Sequence, residues 1–199
     1  MSPRLAPEPD PVPIPAGAAV RSLLSRLQRG GGVTVRQGTG GERIVAEVLG
    51  ELDERWKVLN DVPVGSHGGL IDHLVIGPGG VFTVTDRHHP GSRVWSHGEA
   101  VTVDGELAPY VRNARFAAKR ASRALTQATG FLVEAIGLVV LAAKEQQVAL
   151  RQQPRDGSVV LLRRQDLEPW LDSQREIFDA ERVDKVWHKA RLPWVWTAR

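Results

Sequence analysis

The sequence predicts a mixed α/β fold with helices laid on a central sheet, and three observations carry that reading. Short apolar runs at 56–64, 70–77 and 81–87 have strand character, while stretches at 44–52 and 109–125 repeat their apolar positions at helical spacing. The two kinds of segment alternate along the chain, the pattern of a sheet covered by helices.

Residues 1–15 hold six of the 13 prolines, which remove backbone donors and favour an extended, unpacked chain, so a disordered proline-rich tail is expected there. Residues 16–35 read as an amphipathic helix and a glycine linker: Val20, Leu23, Leu24 and Leu27 share a face, and Gly30, Gly31 and Gly32 stop the pattern. A second helix carries Ile44, Val45, Val48, Leu49 and Leu52 on one side. Three strands follow, and GPGG at 77–80 joins the last two as an antiparallel hairpin. Residues 94–104 read as a further strand. Pro109 then opens a helix to Leu125 whose stripe is Val111, Ala114, Ala118, Ala121 and Leu125. Ala135 to Ala143 has the continuous apolar character of a buried strand. Strands near 147–151 and 158–163, a short helix at 165–172 and a last helix at 179–191 complete the series. The expected organisation is a core over 36–145 with a C-terminal α/β extension, 146–199, packed on it.

A chain of 199 residues is the length of one domain with appendages. It has no cysteine, which excludes disulfides, thiolate zinc sites, iron–sulfur ligation and a thiol nucleophile. Of the 26 basic residues 21 are arginine, the side chain best suited to bidentate contact with phosphate. The longest apolar stretch, Phe131 to Ala143, is broken by Glu134 and too short to span a bilayer, so a cytoplasmic protein without a membrane partner is expected.

The glycine-rich motifs carry little chemistry. GPGG links two strands and lacks the Lys-Ser/Thr of a phosphate-cradling loop, and GTGGE at 38–42 is not preceded by a buried strand. His88 and His89 are adjacent, so in an extended segment they point apart and do not share one metal; a solvated loop is the simpler reading. Asp72 is different. It stands among Leu70, Ile71, Leu74, Val75 and Ile76, where a carboxylate needs a partner, a hydrogen bond or a metal. The 109–125 helix places Arg112, Arg115, Lys119 and Arg123 three and four residues apart, a basic ridge that either tracks phosphates or is a solvated face.

Taken together, GGERIVAEVLGEL (40–52), WKVLNDVPV (56–64), IDHLVIGPGGVFTVTDRHHPG (71–91) and PYVRNARFAAKRASRAL (109–125) resemble the nuclease-related domain (NERD) family of the PD-(D/E)XK class. The N-terminal helix and the C-terminal ARLPWVWT stretch are similar to actinobacterial members. The resemblance implies a restriction-endonuclease-like core in which a helix glutamate, a strand aspartate and an Asp/Glu-x-Lys on the next strand surround Mg²⁺ or Mn²⁺ and hydrolyse DNA or RNA. Glu42 matches the helix acid and Asp72 the aspartate, which would make them the metal ligands, and Asn113 falls where relatives carry glutamine. The pattern breaks on the third strand: VFTVTDR puts Thr85 at the acid and Arg87 at the lysine. Thr85 has no carboxylate, and arginine stays protonated and is a poor substitute for lysine in handling water.

Three functions compete on these residues. The first is a nuclease-like protein that binds nucleic acid through Arg112, Asn113, Arg115, Lys119 and Arg123 with a degenerate or weakened phosphodiesterase site and no need of a metal. The second is an active Mg²⁺- or Mn²⁺-dependent nuclease using Glu42, Asp72, Asp86 and His88, which requires a bulge so that Phe82 and Val84 do not line the site. The third is a protein-interaction module using the proline tail and the late tryptophans Trp170, Trp187, Trp194 and Trp196. The simpler reading of those tryptophans is that they pack the C-terminal helices on the sheet.

Overall fold

The computed structural model describes residues 40–64, 69–143 and 147–197. The expected tail at 1–15 and the helix and linker at 16–35 lie outside these residues.

Helix α1 (Gly40–Gly50) leads into three antiparallel strands, β1 (Lys57–Val64), β2 (Gly69–Gly77) and β3 (Gly80–His88). The GPGG segment makes the expected tight turn: Gly77 pairs with Gly80, and Gly80 adopts φ +115, a conformation open to glycine and strained for other residues. Strand β7 (Ala135–Ala142) runs parallel to β3, and β9 (Val159–Arg163) runs parallel to β7. The result is a five-stranded mixed sheet in the order β1-β2-β3-β7-β9.

Residues 94–104 differ from the single strand expected. Strands β4 (Val94–His97), β5 (Ala100–Val103) and β6 (Glu106–Ala108) form a meander, with β8 (Val148–Leu150) parallel to β4 at its other edge. Two tight turns cause the division. Gly98 has φ +60 in the first position of one two-residue loop, and Asp104 and Gly105 have φ +50 and +90 in the next, as primed hairpin turns require. The molecule therefore has two mixed sheets, with helices on their faces.

Helix α2 (Tyr110–Thr129) connects the sheets and runs four residues past Leu125, where the pattern ends. Val111, Ala114, Ala118, Ala121 and Leu125 are buried as expected, joined by Thr129. Gly130, at φ +80, ends it by donating its N–H to the Thr126 carbonyl. The small residues let the helix approach β7 closely: a Cβ built on Gly137 would lie 2.9 Å from the Ala114 carbonyl oxygen. On this face, α4 (Ala180–Ala190) and α5 (Pro193–Thr197) add Val183, Val186, Val195 and Trp196 to a core containing Leu74, Ile76 and Leu125. The opposite face is closed by α1 and α3 (Leu167–Asp172), whose Val45, Leu49, Leu167 and Leu171 cover Phe82, Val84, Leu138 and Val140.

Packing accounts for most of the late tryptophans. Trp196 is buried and donates Nε1–H to the Ala190 carbonyl at 2.7 Å, Trp170 meets Phe82 edge-on, and Trp187 packs against the α2 core; Trp194 is exposed. This two-sheet α/β architecture, with its C-terminal helical part, is consistent with a restriction-endonuclease-like core. No described helix is long and apolar enough to cross a membrane.

Candidate nucleic-acid site

The site forms where β2 and β3 lie side by side beneath the start of α2. The register His73↔Val84 sets Asp72 beside Thr85. Strand alternation puts Thr83, Thr85 and Arg87 on the α2 face, while Phe82, Val84 and Asp86 belong to the α1 face. The structure thus brings Asp72, Thr85 and Arg87 together.

The Asp72 carboxylate accepts the Asp86 backbone N–H at 3.2 Å, and Arg87 Nη1 stands 3.6 Å from Asp72 Oδ2. The guanidinium also donates to the Asp86 carbonyl at 2.7 Å and lies 5.4 Å from the centre of the Tyr110 ring, a cation–π contact. About a third of each side chain, 34% for Arg87 and 30% for Asp72, remains open to solvent. The pair is accessible to a ligand.

Tyr110 and His89 are partners the sequence reading missed. Tyr110 is the first residue of α2, and its hydroxyl lies 3.0 Å from His89 Nε2, with the two rings stacked. His89 is not the solvated loop residue expected. Burial, then the positive field of Arg87 and His88, lowers its pKa from the ordinary histidine value, against an opposing pull from Asp104. Burial and the neighbouring positive charge thus favour the neutral imidazole beside the Tyr110 hydroxyl.

Asp86 and His88 are arranged differently. Asp86 is only 6% exposed, and His88 is exposed at the strand's end, lining a cleft with Pro90, Ala142, Arg164 and Gln165. Strand β3 pairs with β7 without interruption from Val81 to His88, so the bulge that would turn both side chains toward Asp72 is absent. Glu42 falls in the first turn of α1, and its side chain lies outside the described residues. Across from Asp72 on β1, Asp61 holds a left-handed φ of +54 between the pairs Asn60↔His73 and Val62↔Ile71. Such strain on a side-chained residue concentrates near functional sites.

Among the described residues, the donor set does not fit the divalent-metal centre that the resemblance implies. Thr85 brings no carboxylate, and a cation stands against Asp72 where a metal would need an anion. Among the described residues no group of three or more His, Asp or Glu is placed to hold a metal.

The α2 cations form no continuous ridge. Arg112, Lys119 and Arg123 are exposed, as is Asn113, but Arg115 is half-buried and paired with Glu99 and Asp156, both at 2.9 Å. It also donates Nε–H to Ser158 at 3.0 Å. These contacts raise the Arg115 pKa, the Asp156 hydrogen bond most of all. Arg115 ties α2 to the β4–β5 turn and to the segment before β9, which consumes its charge. Lys119 and Arg123 instead line an open cleft of about 730 Å³ with Gln127, Glu134 and Gly157.

No curated protein and no solved structure matches the chain. A family model does: the nuclease-related domain matches residues 37–142, more than half of the chain and the whole stretch from α1 through β7. The chain belongs to the nuclease-related domain (NERD) family.

Proposed function

We propose that the protein is a member of the PD-(D/E)XK class, of the actinobacterial type, that binds DNA or RNA while its phosphodiesterase site is degenerate. The observation that carries this reading is the Arg87–Asp72 contact of 3.6 Å beside Thr85. A hydrolytic site must gather negative charge for a metal and keep a group able to manage water. Here one acid position is a neutral hydroxyl, and the strand aspartate, Asp72, faces a permanent cation.

Such a cation still recognises phosphate. Arg87 is braced from one side by the Tyr110 ring and from the other by Asp72, so its planar fork is pre-oriented. Arg112 and Asn113, in the first turn of the same helix, extend the polar surface, and Lys119 and Arg123 are further exposed cations on α2.

A plasmid assay with Mg²⁺ or Mn²⁺, read for both retardation and nicking, tests the reading. Retardation without nicking is expected, with loss of retardation as salt rises. Restoring the class motif with Thr85→Glu and Arg87→Lys together should introduce metal-dependent nicking that Asp72→Ala abolishes. Metal-dependent nicking by the unaltered protein that disappears in Asp72→Ala would overturn the proposal.

A further inference from the structure

Among the described residues, the four-stranded sheet has one face buried and one open. Val94, Val101 and Val148 point inward onto α2, β7 and β9. The residues that alternate with them point outward, and the register aligns Trp95 with Thr102 and Thr102 with Leu107 across three strands. Trp95 is 42% exposed and Leu107 73%, and the His97 ring lies beside that of Trp95 at 5.8 Å and only 13° from parallel. Two nearly parallel, stacked rings thus lie on a sheet surface.

Cations flank this pair. Arg93, two residues before Trp95, has the same parity and is exposed, although it stands near the Asp104 carboxylate. Arg151 donates its N–H to the Ser96 carbonyl, which extends the β4–β8 pairing by one step and places Arg151 beside His97. It too is exposed. The surface is therefore aromatic at its centre and basic at both ends.

Its position relates it to Arg87. Only residues 89–93 separate β3 from β4, and among them His89 holds Tyr110, whose ring braces Arg87.

We propose that this open face is a seat for single-stranded nucleic acid, with a base stacked on Trp95 and neighbouring phosphates on Arg151 and Arg93. The proposal rests on the nucleic-acid reading above and adds strand specificity to it. An unpaired base exposes the ring face that stacking needs, whereas in a duplex both ring faces are already covered. A protein partner favouring the same patch would use Leu107 and Trp95 as apolar anchors and would not need the arginines.

The test measures binding of the full chain to a labelled thymidine oligomer of about 12 nucleotides and to a duplex of equal length, over a salt series. Trp95→Ala should weaken single-strand binding about 10- to 100-fold while Trp95→Phe keeps most of it, and duplex binding should change little in either. Arg151→Gln should lower the salt slope by about one. Unchanged single-strand binding in Trp95→Ala, with duplex binding intact, overturns the stacking seat and leaves the general nucleic-acid reading standing. Failure of the unaltered protein to bind either probe overturns both.

Discussion

The two sheets of this protein are put to different use. The five-stranded sheet is covered on both faces: α2, α4 and α5 lie on one and α1 and α3 on the other, and its central strands are mostly apolar inside, with His73, Thr83 and Asp86 as buried polar exceptions. Among the described residues the four-stranded sheet is covered on one face only, and the other carries Trp95, His97, Thr102 and Leu107. A sheet closed on both sides has its side chains assigned to stability. One open side leaves a row of positions that stability does not fix, and there the sequence is at liberty to serve recognition. Asp72 and Arg87 occur where these regimes meet, at the end of β3 from which the second sheet departs.

The contrast breaks first if equal truncations cost the same in both sheets. Phe82→Ala removes a side chain 1% exposed between Trp56 and Trp170 and should cost about 3–5 kcal/mol, whereas Trp95→Ala should stay within about 0.5 kcal/mol; urea unfolding midpoints measure both. Gly137→Ala probes how tightly α2 lies on β7. Its new methyl would meet backbone as well as side-chain atoms of Ala114, so a loss of about 1–3 kcal/mol is expected in the same experiment.

A smaller effect comes from His73 on β2. It is 5% exposed, with Nδ1 2.8 Å from Asn60 Oδ1, and burial lowers its pKa to about 4. The folded protein thus binds this proton less readily than the unfolded chain, whose histidine titrates near 6.5. The contribution is complete above pH 6.5 and is lost as pH falls through that value toward 4. Between pH 7 and 5 the unaltered protein should lose about 1–2 kcal/mol more than His73→Gln, measured by urea unfolding at each pH. The smallest effect is expected at Arg115, whose acid partners are half-exposed. Arg115→Ala should cost about 1 kcal/mol or less, and the difference should shrink in high salt.

Much of this arrangement can be read from the sequence, for reasons visible in particular residues. The α2 stripe and the GPGG hairpin are local, since periodicity and turn chemistry specify them within a few residues. The second sheet has one legible signal, the Asp104-Gly105 hairpin turn, while its strands of three or four residues show almost no period. At the site, Asp72, Thr85 and Arg87 could be related through their spacing and the resemblance. The bracing of Arg87 could not, because Tyr110 is 23 positions away across an entire sheet. Arg115 shows the same limit. Its spacing fits a basic ridge, but its partners Glu99 and Asp156 stand 16 and 41 residues away in opposite directions along the chain.

The place of β9 in the central sheet has a practical consequence. The family match ends at residue 142, the last residue of β7, and β9 at 159–163 lies beyond it while supplying the neighbour to which β7 is hydrogen-bonded. A fragment trimmed to the matched residues would leave Ala-Ile-Gly-Leu-Val-Val-Leu-Ala as a bare outer edge, long, uncharged and free of proline. Edges of that kind recruit strands from other molecules. For anyone expressing this domain, the boundary that homology suggests is the one to avoid: material cut there should self-associate, and the useful cut lies after the C-terminal helices.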